Sequence, residues 1–329
     1  MRKTIVLLVI LSFILGSVQL QAGKKDKEAL YLAAITEQNP EIKMQKLEEY
    51  FAKYAKKKKH QTAPLFIHLV ETAYKLKAWD KLANYSKMAF DSGKLSEIDQ
   101  MNVKLKLAYY NMTAKKDLAA AEKLADEILA FGKKINNAMC DKMFCAPALR
   151  IKIAILEAQA TDSEAIGKAL GASFEVYKID KSQKSADFIF YFAQKMYNEL
   201  GQYDKAIAAL EKISDIPNAK VEHMDKLASW YMSDGYNDKA LKYYEKSYNQ
   251  AKNAQKAYLV GKLTYKNDLT KGLNYLAEAY VLDEAPYSDQ AKELMEEAYK
   301  ESQPEETTPE QIDEAIQRII EDAQVRLGK

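Results

Sequence analysis

The sequence predicts an all-α protein, an α-solenoid of stacked helix-turn-helix hairpins with a C-terminal helix closing the open end. Three observations carry that expectation. Gly and Pro are scarce, 11 and 7 in 329 residues, which argues against turn-rich β-sandwiches and against collagen-like or disordered chains. From Asp26 onward apolar residues recur at steps of three and four, without the alternating polarity of strands. One stretch also matches the next at a fixed offset, and a fixed offset marks repeat architecture. Length alone, at roughly 150 residues per domain, would divide the chain in two; the offset favours one continuous stack.

The first segment belongs to targeting. Met1-Arg2-Lys3 is a short basic start, Ile5 to Leu15 is almost unbroken hydrocarbon, and Gly16 and Ser17 lead to Leu20-Gln21-Ala22. That order is the layout of a secretory signal peptide over residues 1–22, with a periplasmic or secreted destination. The apolar stretch falls short of the roughly 20 residues a bilayer span needs. Counting Val18 and Leu20 leaves an uncleaved membrane anchor as the alternative. Cleavage takes away Arg2 and Lys3 of the 49 basic residues and leaves 47 against 47 acidic. Such balance argues against nucleic acid as a partner.

Residues 23–62 hold the opening helices, Asp26–Glu37 and Glu41–Ala55, separated at Pro40. The run Lys56, Lys57, Lys58, Lys59 reads as the last turn of the second helix, where cations complement the negative end. Peripheral contact with anionic lipid headgroups is the other reading. The array then spans 63–300. Pro64–Lys77 pairs with Trp79–Phe90, and Asp99–Met112 with Asp117–Phe131, where Ala121 and Ile128 fit packing positions. Pro147–Gln159 pairs with Ser163–Tyr177, Pro147 suiting a first helical position. Just ahead stand Cys140 and Cys145. An oxidising compartment and a turn here would allow a disulfide closing the short loop. Two free buried thiols are the alternative.

Periodicity is sharpest over 187–220 and 221–254. Phe190, Ala193, Tyr197, Gly201, Tyr203, Ala206 and Leu210 recur 34 residues later as Met224, Leu227, Tyr231, Gly235, Asn237, Ala240 and Tyr244. Gly201 and Gly235 let the first helix end sharply. Ala206 and Ala240 are small where the two helices of a hairpin come closest. Leu200-Gly201-Gln202-Tyr203-Asp204-Lys205-Ala206 and Asp234-Gly235-Tyr236-Asn237-Asp238-Lys239-Ala240 resemble the turn of the tetratricopeptide repeat family. The resemblance is close over 187–254 and loose over 63–300, about seven hairpins in all.

After the clear repeats, Gln255–Lys266 pairs with Leu269–Leu282, with Gly272 and Ala279 at the small positions, and Ser288–Glu301 follows. Residues 301–329 comprise an acidic, Pro-containing linker and a final helix. Thr308-Pro309-Glu310-Gln311 has the form of a capping box. Ile312, Ala315, Ile316, Ile319, Ile320 and Ala323 make an apolar stripe. This helix reads as the cap an exposed solenoid end needs, or alternatively as a partner-binding amphipathic helix.

Little in the sequence points to catalysis. There is no phosphate-cradling Gly-rich loop, His-Glu-x-x-His or Gly-x-Ser-x-Gly, so no catalytic residue, metal or cofactor is expected. Three His, at 60, 68 and 223, and two Cys are too few for a metal cluster or disulfide framework. His68 reads as a packed or groove-edge residue and His60 as solvated. An enzyme would need a carboxylate pair such as Glu222 and Asp225, which nothing in the spacing requires. Most of the 22 Tyr fall at apolar helical steps, the ring buried and the hydroxyl reaching the rim.

The resemblance implies that the first helix of each hairpin lines a concave groove. In the clear repeats this face carries Phe188, Tyr191, Lys195 and Asn198, then Glu222, Asp225, Ser229 and Met232. The implied function is a non-catalytic scaffold or assembly factor of the cell envelope, holding a protein or peptide there. A solute- or polysaccharide-binding module using groove aromatics is the alternative. Some members of the family grip a C-terminal carboxylate with paired Lys and Asn. Here Tyr191, Lys195 and Lys226 hold those places, so the resemblance does not extend to that mode.

Overall fold

The computed structural model describes residues 25–159 and 163–329; the leader expected over 1–22 lies outside the described residues. Every regular element among the described residues is helical, as the period requires. No described helix is long and apolar enough to cross a membrane. The chain divides into two compact units, residues 1–185 and 186–329.

In the first unit, α1 (25–35) precedes α2 (Pro40–Tyr54). Asn39 caps α2, its side chain accepting from the backbone N–H of Glu41 and Ile42, with Pro40 at the first helical position. Ala55 N–H bonds to the Phe51 carbonyl and closes the helix. Lys57 then turns into a 3-10 turn, Lys58–His60. The lysine run is therefore exposed loop and turn, not the last turn of α2 as the sequence suggests. Next come α3 (Ala63–Lys75) and α4 (Trp79–Ser92), which bury Leu65, Phe66, Leu69, Leu82 and Ala89 completely.

α5 (Glu97–Tyr110) starts earlier than its apolar period indicates, because Ser96 and Asp99 form a reciprocal capping box. It runs into a π-helical turn, Asn111–Lys115, before Asp117 caps α6 (Leu118–Ile135). Ala121 and Ile128 of α6 are fully buried. α7 (Ala138–Cys140), a second π-helical turn (Asp141–Cys145) and α8 (Ala146–Gln159) follow without a break, and α8 packs on α9 (Ser163–Asp180). Pro147 thus lies inside a helical run rather than at its start. A proline ring crowds the carbonyl four residues back; here that residue is Met143, in the wide π turn, where the ladder is already opened.

The same continuity removes the loop that a disulfide would have closed. Cys140 and Cys145 are free, buried thiols. Cys145 Sγ occupies the space beside Gly132 of α6, 2.0 Å from where a Cβ on that glycine would stand. The thiol is a packing group that a side chain at 132 would displace.

The second unit takes in α10 (Gln183–Asn198) from its second turn, followed by α11 (Tyr203–Ser214), α12 (Val221–Ser233) and α13 (Asn237–Gln250). These are the two clear repeats. Gly201 and Gly235 adopt left-handed φ of 62° and 80°. At Gly235 the backbone N–H of Tyr236 bonds to Tyr231 O at 2.8 Å, and that of Gly235 to Met232 O at 3.2 Å. This is the Schellman closure that favours glycine. Ala206 and Ala240 are fully buried where the helices meet.

The stack continues through α14 (Ala254–Thr264), α15 (Leu269–Leu282) and α16 (Tyr287–Glu301). Gly272 lies against the backbone of Tyr265, where an added Cβ would meet Cα at 2.3 Å. Finally α17 (Pro309–Leu327) opens with its capping box, Thr308 N–H to Gln311 Oε1 at 3.0 Å and Gln311 N–H to Thr308 Oγ1 at 3.4 Å. Ile316, Ile320 and Ala323 bury themselves in the core shared with α15 and α16. Beside them Glu278 accepts from Tyr248 Oη and, at 2.9 Å, from Arg326 Nε. The stripe of α17 is spent inside the unit, as a cap.

Candidate partner-binding face

The first-helix strip begins on α10. The i, i+3, i+4 steps put Phe188, Tyr191, Lys195 and Asn198 on one side of that helix. Ile189, Phe192, Ala193 and Met196 are buried on the other. Asn198 is exposed and the other three half-buried. Lys195 Nζ stands 5.1 Å from the centre of the Tyr191 ring, a cation–π contact that fixes the two as a pair.

On α12 the four expected residues divide. Glu222 and Met232 are exposed. Asp225 is not available in the same way: Ser247 of α13 donates to it, and the buried Lys256 ammonium of α14 lies 3.5 Å from its carboxylate. Ser229 bonds the Tyr244 hydroxyl, whose pKa burial above all, and then the Asp225 charge, pushes up to about 12. Asp225 and Ser229 therefore join α12 to the following hairpin. Their place on the helix also looks toward the next repeat, and polar residues there can be satisfied by α13 and α14. An Asp225 so engaged is also removed from any carboxylate pair with Glu222.

Between α10 and α12 the packing is aromatic. Phe190 lies 4.6 Å from the His223 ring, centre to centre. His223 is 1% exposed, and its Nε2 is 3.4 Å from Asp187 Oδ1 without the alignment of a hydrogen bond. Burial, opposed in part by Asp187, holds its pKa below the ordinary histidine value. Tyrosine hydroxyls do more than reach the rim: Tyr231 donates to Glu211, and Tyr243 to Asp215 at 3.1 Å. Tyr109, by contrast, is 37% exposed.

Beside Met232 the structure opens a cleft of about 900 Å³ that the first-helix reading did not include. It lies between the α12–α13 turn and the C-terminal half of α14. Leu259 and Leu263 line one side, Met232 and Tyr236 the other, with Lys239, Lys262 and Lys266 around them. Lys239 Nζ stands 4.8 Å from the Tyr231 ring centre and 5.5 Å from that of Tyr236; Lys262 covers Tyr258 at 5.6 Å, and Lys266 covers Tyr265 at 5.8 Å. A sequence signal exists in the Tyr-to-Lys steps of three and four at 236/239 and 258/262. It is lost among the many other lysines and tyrosines.

No protein-family profile matches the sequence, and no curated protein matches it. Among solved structures, TTC0263, a thermophilic tetratricopeptide-repeat protein of Thermus thermophilus, aligns at 20% identity. That alignment covers 67% of this chain and 100% of the other, with a TM-score of 0.31. The tetratricopeptide domain of P58(IPK) aligns at 16% identity over 86% of this chain and 85% of its own, with a TM-score of 0.19. The resemblance rests on the chain's own hairpins, with left-handed Gly201 and Gly235 and buried Ala206 and Ala240. By that geometry α10–α13 form tetratricopeptide-like helical hairpins, and every regular element among the described residues is helical.

Proposed function

We propose that the protein is a non-catalytic scaffold or assembly factor that holds a segment of another protein on the first-helix side of its second unit. One observation carries this reading. Phe188, Tyr191 and Lys195 of α10 are half-buried, and with exposed Met232 and the cleft beside it they give this side a mixed apolar and cationic surface. Exposed aromatic and Met side chains are enriched at protein–protein interfaces. The polysaccharide alternative is less well supported. Sugar stacking needs open ring faces, and lysine ammonium groups stand over Tyr191, Tyr236, Tyr258 and Tyr265.

The leader pattern at 1–22 supports a place for this scaffold in the cell envelope or outside the cell. Mass spectrometry of the purified mature chain should find Gly23 at its N-terminus; an intact Met1 would favour an anchor. Photocrosslinking tests the binding role. A benzophenone side chain at Tyr191 or Met232 should give a recurrent protein adduct in envelope extract. The same group at exposed Lys205 of α11 should not. Equal adducts at all three positions, or retention on glycan resin instead, would overturn the reading.

A further inference from the structure

Three lysines converge at the Met232 cleft, and none has an acidic partner among the described residues. Many lysines of the second unit are paired: Lys220 with Asp187 at 2.6 Å, Lys271 with Glu245 at 2.6 Å, Lys256 with Asp225 at 3.5 Å. Among the described residues, no carboxylate lies within ion-pairing distance of Lys239, Lys262 or Lys266. Each ammonium instead stands over a tyrosine ring. Asp238 is the one acidic side chain in the lining, so the rim carries a surplus of positive charge. Between the lysines lie the apolar Met232, Leu259 and Leu263, with Tyr236 57% exposed and Asn237 and Asn267 beside them.

We propose that this cleft takes an acidic segment of extended polypeptide, one or two apolar side chains seated between α12 and α14 and its carboxylates on Lys239, Lys262 and Lys266. The proposal rests on the scaffold reading and names the chemistry of the segment held. Cation–π contacts hold the three ammonium groups near the cleft without neutralising them. Carboxylates arriving there meet cations that surrender no ion pair. Charge complementarity of this kind acts mainly on partner selection and encounter rate. The apolar lining calls for a peptide rather than a polyanionic glycan, which would leave Leu259 and Leu263 against water-loving hydroxyls.

Fluorescence anisotropy of the mature full-length chain with short fluorescein-labelled peptides tests it. The probes are a peptide of four Glu and two Leu and its Gln and Lys counterparts. The Glu peptide should bind at least about tenfold more tightly than the Gln peptide, and less tightly as salt rises. Lys262 and Lys266 are exposed, so the double variant Lys262→Glu, Lys266→Glu should fold normally by circular dichroism. It should lose the Glu peptide and gain the Lys peptide, a reversal that a structural role for the lysines would not produce. Equal binding of the Glu and Gln peptides would overturn the proposal, as would an unchanged Glu affinity in the double variant. Tighter, Lys262-dependent binding of polygalacturonate would do the same. A crosslinked partner at Met232 with no acidic segment would refute this inference and leave the scaffold reading in place.

Discussion

The ring of Tyr197 lies flat on the indole of Trp230, centres 4.1 Å apart and planes 1° from parallel. This stack joins the first helices of two successive hairpins, α10 and α12. Trp230 is 4% exposed, and Tyr203 packs edge-on against the other partner, Tyr197, at 4.7 Å. Repeat stability is a sum of hairpin and nearest-neighbour terms, so the pair should matter to the second unit. Trp230→Ala should destabilise it by about 3–5 kcal/mol, and Tyr197→Leu by about 1 kcal/mol for the lost ring contact. Urea unfolding followed by circular dichroism checks both; a loss below about 1 kcal/mol for Trp230→Ala would show that the stack is incidental.

The hairpin turn at Gly235 recurs in the first unit with a lysine. Lys77 has φ 54°, and Ala78 N–H reaches Ala73 O at 2.9 Å, the same closure as at Gly235. Left-handed backbone costs a non-Gly residue roughly 1 kcal/mol. Lys77→Gly should therefore stabilise the chain by up to about 1 kcal/mol, and Gly235→Ala should destabilise it by a similar amount. Thermal melts of the two variants should move in opposite directions; movement in the same direction would contradict the turn assignment.

Cys145 should be a slow thiol. Burial above all, then its hydrogen bond to Asp141 and that residue's charge, push its pKa up to about 11. An unperturbed cysteine has a pKa near 8.5, so at about pH 8 the thiolate fraction at Cys145 is about two orders of magnitude lower. Iodoacetamide labelling of the reduced protein, read by mass spectrometry, should be slower in that proportion than in urea. Asp141→Asn should speed it. Equal rates in the native and unfolded chain would refute the assignment.

His223 gives the second unit a pH dependence of known sign. Its folded pKa lies below the ordinary value because burial opposes the charged ring. From about pH 6.5 downward the unfolded chain therefore binds more protons than the folded one, and stability falls as pH drops. His68 in the first unit is shifted the same way, so the probe must be local. Only two tryptophans occur, and in a Trp79→Phe background Trp230 emission reports the second unit. His223→Leu should flatten the stability change between about pH 7.5 and 5; an unaltered slope would mean another group carries it.

How much of this was legible in the sequence follows from what each residue depends on. Hairpin order, the turns at Gly201 and Gly235, and the capping box at Thr308 depend on neighbours a few residues away, and local pattern reveals them. The π turn before Pro147 does not, because proline ordinarily marks a helix start and the run is held by packing on other helices, such as Cys145 beside Gly132 and Phe144 against Phe131. The turn at Lys77 was legible from the hairpin pattern, but its left-handed backbone was not, because glycine is the usual signal. At the candidate face, the family resemblance together with helical spacing singled out Tyr191, Lys195 and Met232 as candidates. The commitment of Asp225 to Ser247 and Lys256, and the grouping of Lys239 with Lys262 and Lys266, required distances between hairpins.

The most direct test of the scaffold account is the affinity of the purified mature chain for a segment captured by crosslinking at Tyr191 or Met232. It should be compared with the double variant Tyr191→Ala, Lys195→Ala. The account predicts affinity at least about tenfold weaker, consistent with the loss of an aromatic anchor and its cation, with the thermal melt unchanged. Undiminished affinity in a folded double variant would contradict it.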